Sequence, residues 1–229
     1  MSGAVTALVP AAGRGVRLGA DIPKAFVALR GRSLLWRAVH GLLESGCVDE
    51  VVVAVAAEDA GHAAHALAGV DRVRFVTGGA QRSDSVRAAL DAVPGTDVVL
   101  VHDAARCLTP GSVIRDVVAA VRAGHPAVVP VLPVTDTVKQ VDAGGAVVAT
   151  VDRSALRVVQ TPQGFDAALL RRAHAGAGGP ATDDAGGPAT DDAGLVERLG
   201  ETVTTVPGHP HAFKITTPFD LAVAEAVLR

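Results

Sequence analysis

Five short runs, Thr6–Val9, Val51–Val53, Val73–Val76, Val98–Val101 and Ala127–Val129, are mostly aliphatic on both of the faces a strand presents. A strand without polar alternation must be covered on both sides, which is the situation inside a parallel sheet. Between these runs, Leu34–Ser45, Asp59–Ala68, Ser83–Ala92 and Ser112–Ala123 repeat apolar residues at three-to-four spacing, the mark of helices with one buried face. The chain therefore reads as α/β, a mostly parallel sheet with helices on both faces, and ligands of such sheets sit beyond the carboxyl ends of the strands. With 229 residues, 49% of them hydrophobic, one domain spanning 1–229 with a substantial core is expected.

Composition removes several function classes. A net charge of −3 offers no basic face to nucleic acid, and 3% aromatic residues with no tyrosine give no stacking platform for single strands. The longest apolar runs, such as Val51–Ala57, have the length of a buried strand rather than a membrane span, and no charged-then-apolar leader opens the chain. A cytoplasmic protein without a membrane partner is expected. Cys47 and Cys107 lie far apart, without the spacing of a zinc site or a disulfide framework.

The first strand runs directly into Pro10-Ala11-Ala12-Gly13-Arg14-Gly15-Val16-Arg17-Leu18, and Pro23-Lys24 follows. Small residues let backbone N–H groups turn toward an anion, and Arg14, Arg17 and Lys24 supply charge for a polyphosphate. The loop lacks the Gly-Lys-Ser/Thr of a Walker cradle, and Leu18 stands where a dinucleotide loop needs its third glycine. A glycine turn required only by the backbone is the bland alternative. Lys24 is one of three lysines, with Lys139 and Lys214, against eighteen arginines, which suggests sites where a compact, mobile ammonium is wanted.

After Pro133 the rhythm changes. Thr137–Val141 and Val147–Val151 flank Asp142-Ala143-Gly144-Gly145, a hairpin signal. A lone hairpin has little core, so it reads as an oligomerisation arm over 137–158, or else as a surface ribbon. The octet Gly-Gly-Pro-Ala-Thr-Asp-Asp-Ala occurs twice, at Gly178–Ala185 and Gly186–Ala193. It reads as a duplicated loop segment leading into a helix Ala193–Leu199 capped by Thr190.

Asp103-Ala104-Ala105-Arg106 follows the strand Val98–His102. A carboxylate there can hold Mg²⁺ together with substrate phosphates, or simply cap a helix. His102 beside it is the one histidine near the chemistry, and a strand-end histidine more often satisfies hydrogen bonds than catalyses. The ordered set PAAGRGVRLG…PKAF, GGAQRSDSV, DAAR, TDTVK, VDR, TPQGF, TDDAGLVE and FKITTPFDL resembles the 2-C-methyl-D-erythritol 4-phosphate cytidylyltransferases of the non-mevalonate isoprenoid route, over nearly the whole chain.

The resemblance implies a Rossmann-like nucleotidyltransferase fold with a projecting arm, and a homodimer. It implies CTP and a polyol phosphate as substrates, Mg²⁺ as cofactor, and pyrophosphate as co-product. Ala11, Ala12, Gly79, Ala80 and Ser85 would line the cytosine pocket, while Gly13 and Gly15 would wrap the triphosphate. Arg17 and Lys24 would neutralise charge at the α-phosphate and pyrophosphate, Lys214 would bridge the reacting phosphates, and Asp103 would position the metal. Arg106, Thr137, Arg153, Thr161 and Thr190 would hold the sugar phosphate, with Thr137 and Arg153 coming from a partner's arm. A phosphate monoester is largely dianionic at neutral pH, so no general base is needed and a Ser-His-Asp set is not expected.

Cys107 stands where such relatives usually carry proline, and His211-Ala212-Phe213 offers no second metal ligand. The duplication leaves Thr182 beside Thr190 as a candidate substrate threonine, with Thr190 preferred for its spacing to Leu195-Val196-Glu197. Nothing after Arg229 matches the fused cyclodiphosphate synthase of bifunctional relatives, so a single activity is expected. Ribitol 5-phosphate cytidylyltransferase is the nearest alternative.

Overall fold

The computed structural model describes residues 3–13, 22–176 and 190–229. The strands are β1 (Val5–Pro10), β2 (Ala28–Leu29), β3 (Arg32–Ser33), β4 (Glu50–Val55), β5 (Val73–Thr77), β6 (Val98–Val101), β7 (Ala127–Pro133), β8 (Val138–Val141), β9 (Val147–Val151), β10 (Arg157–Val159), β11 (Gln163–Asp166) and β12 (Thr204–Pro207). The helices are α1 (Leu34–Glu44), α2 (Ala60–Ala66), α3 (Arg82–Asp91), α4 (Gly111–Arg122), α5 (Ala167–Gly176), α6 (Asp192–Glu197) and α7 (Pro218–Val227).

β1 lies at the centre of an eight-stranded sheet, parallel to β4 on one side and β6 on the other, with β5 parallel beyond β4. Leu8 is opposite both Val52 and Val101, so the apolar runs stack across the sheet. Both faces are covered, as strands without polar alternation require. On one face Val9, Val53 and Leu100 pack with Leu35 and Leu42 of α1 and Ile114 and Val117 of α4. On the other, Leu8, Val52 and Val99 pack with Val86 and Leu90 of α3 and Leu170 of α5.

The expected strands and helices are present with small shifts at their ends. Asp59–Ala68 forms as a 3₁₀ turn at Ala57–Asp59 followed by α2, because Asp59 has φ −95° and ψ 0° and breaks the α geometry there. Thr190 is not the cap of α6. Asp191 is, accepting from the Gly194 N–H at 2.9 Å, and α6 starts at Asp192 rather than Ala193. The antiparallel members of the sheet were not legible: β11 inserts between β6 and β7, and β10 extends the pairing along β7, while β12 joins β7 in parallel. These segments are four residues or fewer, too short for a period to show.

β8 and β9 form a separate two-stranded antiparallel hairpin. Its turn is fastened by Asp142, whose Oδ1 accepts from the N–H groups of Gly144 and Ala146, each at 2.9 Å. Gly145 adopts φ +83°, a conformation that costs glycine little. Most of the duplicated octet, including Thr182, lies outside the described residues.

A small third cluster fixes the site. Val27, Leu29, Leu34, Cys107, Ile215 and Ala224 pack together. Val27 follows Lys24 by three positions, Cys107 follows Asp103 by four, and Ile215 follows Lys214 directly. Apolar burial of these neighbours therefore draws the loops that carry Lys24, Asp103 and Lys214 to one place. Burial also pushes the Cys107 thiol up to about 12, so it stands in for proline as a small apolar side chain.

Candidate active site

The cavity opens where the theory of parallel sheets puts it, at the carboxyl ends of β1, β5 and β6. Past the end of β1, the Ala11 N–H still donates to the Ala54 carbonyl at 2.7 Å, and past β5 the Gly78 N–H donates to the Val55 carbonyl at 2.7 Å. Ladder bonds thus hold both walls rigid before the chain turns away. The cavity has a volume of about 230 Å³ and is walled by Ala11, Ala12, Gly13, Gly79, Ala80 and Ser85. Lys24, Asp103 and Lys214 also line it.

Small side chains are needed here for space. A Cβ on Gly78 would lie 2.8 Å from Ser85 Oγ and 2.9 Å from Ala12 Cβ, and one on Gly79 would lie 2.3 Å from Asp84 Cβ. Ser85 is buried and works within the wall: its hydroxyl accepts from the Gly79 N–H at 3.2 Å. Gln81 caps α3 through a reciprocal capping box with Asp84, which sets the direction in which the next residue, Arg82, leaves the helix.

Asp103 is the electrostatic centre. Lys214 Nζ lies 2.8 Å from its Oδ2, Arg82 Nε 3.4 Å from its Oδ1, and Arg106 Nε 3.8 Å from Oδ2. Burial pushes this carboxyl up, but Arg82, Lys214 and Arg106 outweigh it and hold the group at about 2. It is a permanent anion at neutral pH. The carboxylate does not cap the short 3₁₀ turn Ala104–Arg106 that follows it, so the helix-cap alternative is set aside.

Three sequence candidates stand around Asp103 rather than in the cavity wall. Thr161 is 5% exposed, its Oγ accepts from the Asp103 N–H at 3.0 Å, and it bonds His102 Nδ1 at 3.0 Å. His102 is buried, and desolvation lowers it to about 4, so it is a neutral hydrogen-bonding residue as expected. Arg106 donates to the Ala212 carbonyl at 2.8 Å and the Val159 carbonyl at 3.2 Å, and its buried Nε has no hydrogen-bond partner among the described residues. It braces the loop before Lys214 and leaves one polar N–H unspent beside the Asp103 carboxylate.

Thr190 opens into a neighbouring cavity shared with Gln81 and Arg82. Thr137 and Arg153 lie exposed at the base of the hairpin, where Arg153 donates to the Thr135 carbonyl, and neither lines the main cavity. Gly15 and Arg17 lie outside the described residues. Arg82, which the sequence reading did not single out although the GGAQRSDSV motif contains it, lines both cavities and contacts Asp103.

Among the described residues no group of three His, Cys, Asp or Glu side chains could hold a metal. Asp103, ionised and facing the cavity, fits a cation that takes most of its ligands from phosphate oxygens and water. Among those residues no helix is long and apolar enough to cross a membrane.

The family model of 2-C-methyl-D-erythritol 4-phosphate cytidylyltransferase matches residues 5–229. A protein of that name from Saccharopolyspora erythraea is 62% identical over 229 residues, covering 98% of this chain and 99% of its own. One from Rhodococcus jostii is 58% identical over 226 residues, covering 99% and 96%. Among solved structures, the 4-diphosphocytidyl-2C-methyl-D-erythritol synthase of Anaerococcus prevotii superposes with a TM-score of 0.85 at 27% identity, covering 99% of this chain and 98% of that one. The 2-C-methyl-D-erythritol 4-phosphate cytidylyltransferase of Thermus thermophilus does so with a TM-score of 0.76 at 40% identity and the same coverage.

Proposed function

This chain belongs to the 2-C-methyl-D-erythritol 4-phosphate cytidylyltransferase family, and from that membership we propose that it transfers the cytidylyl group of CTP to 2-C-methyl-D-erythritol 4-phosphate. A phosphate oxygen of the sugar phosphate bonds to the α-phosphorus of CTP, the bond to the β-phosphate oxygen breaks, and pyrophosphate leaves with its charge. The product is 4-diphosphocytidyl-2-C-methyl-D-erythritol. The observation that carries the reading is the juxtaposition of Lys24, Lys214 and Asp103 on a cavity walled by Ala11, Ala12, Gly13, Gly79, Ala80 and Ser85.

The difficulty of the reaction is electrostatic, since two anions must approach and charge must build on a leaving pyrophosphate. Backbone groups of the small-residue wall accept the cytosine, where any larger side chain would fill its space. Gly13 lies along the triphosphate, and the family motif gives Gly15 the same role. Lys24 and Arg17 take up the charge of the α-phosphate and leaving group, and Lys214, partly exposed, moves from Asp103 to the reacting phosphates. Asp103 would hold Mg²⁺ with the triphosphate; the ion, when bound, neutralises phosphate charge and orients the chain of phosphates. Thr161 and Arg106 position Asp103 and the loop before Lys214, and Thr190 faces the sugar phosphate from the neighbouring cavity.

The arm over 137–158 serves dimerisation. Val141, Val147 and Val148 are 54%, 60% and 57% exposed on a hairpin that pairs with no other strand among the described residues, and two strands alone are marginal in water. A second copy covers them and brings Thr137 and Arg153 to the neighbouring site. Pyrophosphate release measured with CTP, Mg²⁺ and either 2-C-methyl-D-erythritol 4-phosphate or ribitol 5-phosphate tests the reading. Turnover with the methylerythritol substrate is expected, and equal or faster turnover with the ribitol substrate overturns it.

A further inference from the structure

Arg82 is held from behind by groups that no part of the reaction described above uses. Its Nη1 lies 2.6 Å from Asp192 Oδ2, and the other oxygen of that carboxylate, Oδ1, lies 3.0 Å from His174 Nε2. Asp192 is 1% and His174 4% exposed, whereas the Arg82 side chain is 33% exposed and lines both the main cavity and the one beside Thr190. A buried ion pair is a poor stabiliser, because desolvation consumes most of its attraction and apolar replacements are often as stable. Its use here is geometric: one fork of the guanidinium is fixed on Asp192, leaving Nε on Asp103 and the rest of the group toward the cavity.

We propose that Asp192, held by His174, is a positioning residue that aims Arg82 at the polyphosphate of the bound nucleotide and steadies Asp103 from its Oδ1 side. Arg82 is then a further phosphate-binding cation of the site. Because Asp192 is two residues from Thr190, one short stretch of chain at the start of α6 both carries the sugar-phosphate threonine and orients a nucleotide cation. The inference rests on the cytidylyltransferase reading for its substrate.

The test is a double-mutant cycle on the full-length protein with Asp192→Asn, Arg82→Lys and the pair, read as kcat and KM for CTP and as affinity for inorganic tripolyphosphate. Asp192→Asn should lower kcat/KM for CTP by about tenfold or more, as loss of a positioning partner does. The same change made in Arg82→Lys should cost little more, since the fork it orients is already gone. Equal losses in both backgrounds would overturn the proposal, showing that Asp192 acts only on the fold. His174→Gln, which keeps a donor, should retain more activity than His174→Leu, and this comparison stands even if Asp192→Asn fails to fold; equal activity of the two would count against the proposal. Tripolyphosphate affinity follows the same coupling without turnover, so a wild-type protein inactive with CTP would refute the function while leaving the Arg82 arrangement open to refutation on its own terms.

Discussion

Thr161→Val removes one hydroxyl and replaces it with a methyl of similar volume, keeping the β-branch that suits the backbone. At 5% exposure, Thr161 is largely shielded from water that could take over the lost bonds. The Asp103 N–H loses its acceptor and His102 Nδ1 loses its partner, both at 3.0 Å in the native protein. An unsatisfied buried polar group costs about 1–3 kcal/mol, so the pair costs about 2–6 kcal/mol. The added methyl returns about 1 kcal/mol by burial. The net loss of about 1–5 kcal/mol corresponds, at roughly 2–4 °C per kcal/mol for a chain of this size, to a melting temperature about 2–20 °C lower. Thr161→Ser keeps the hydroxyl and should lose only about 1 kcal/mol. Thermal unfolding followed by circular dichroism, alongside steady-state kinetics below the transition, separates the two roles this residue could have. A Thr161→Val protein with unchanged melting temperature and a raised KM for the sugar phosphate alone would refute the positioning role and make Thr161 a direct substrate ligand.

Lys24→Ala and Lys214→Ala should each lower kcat by at least ~10²-fold while the protein stays folded, because they meet charge that develops in the transition state; near-normal turnover removes either from the mechanism. Mixing Arg153→Ala with Lys24→Ala should regenerate activity in verified heterodimers, and no complementation would mean that each site is built within one chain. Gly78→Ala should raise the KM for CTP, since the new Cβ would press on Ser85 Oγ at 2.8 Å and Ala12 Cβ at 2.9 Å; an unchanged KM argues against the nucleotide lying on that wall. His102 is held at about 4, below its ordinary value near 6.5, so the unfolded chain binds the proton first. Stability is therefore full above pH about 6.5 and falls as the pH drops toward 4, by up to about 3 kcal/mol from this group. His102→Asn should flatten that part of the stability profile measured by denaturant titration, and an unaltered slope would contradict it.

How much of this was written in the chain differs from one residue to the next. Local physics determined the alternating strands and helices, because unbroken aliphatic runs and three-to-four spacing act over ten residues or fewer. It also determined the small-residue wall at Ala11 to Gly13 and Gly79, where any Cβ-bearing loop of larger residues would close the cavity, and the hairpin, whose turn is fastened within five residues by Asp142. Only the tertiary structure decided the rest. The insertion of β11 beside β6 depends on pairing between segments some sixty residues apart, and a four-residue strand carries no period to announce it. The meeting of Lys214 with Asp103 depends on Ile215, Cys107 and Val27 sharing one apolar cluster, and burial is blind to sequence distance. Thr161, expected at the substrate, turned inward because the Asp103 N–H and His102 needed partners away from water. Asp191 rather than Thr190 capped α6, which freed Asp192 to be buried against Arg82 and His174, two residues that lie 110 and 18 positions away in the chain. Charge pairing across such separations is a property of the folded surface, where desolvation sets its strength, and no spacing rule along the chain encodes it.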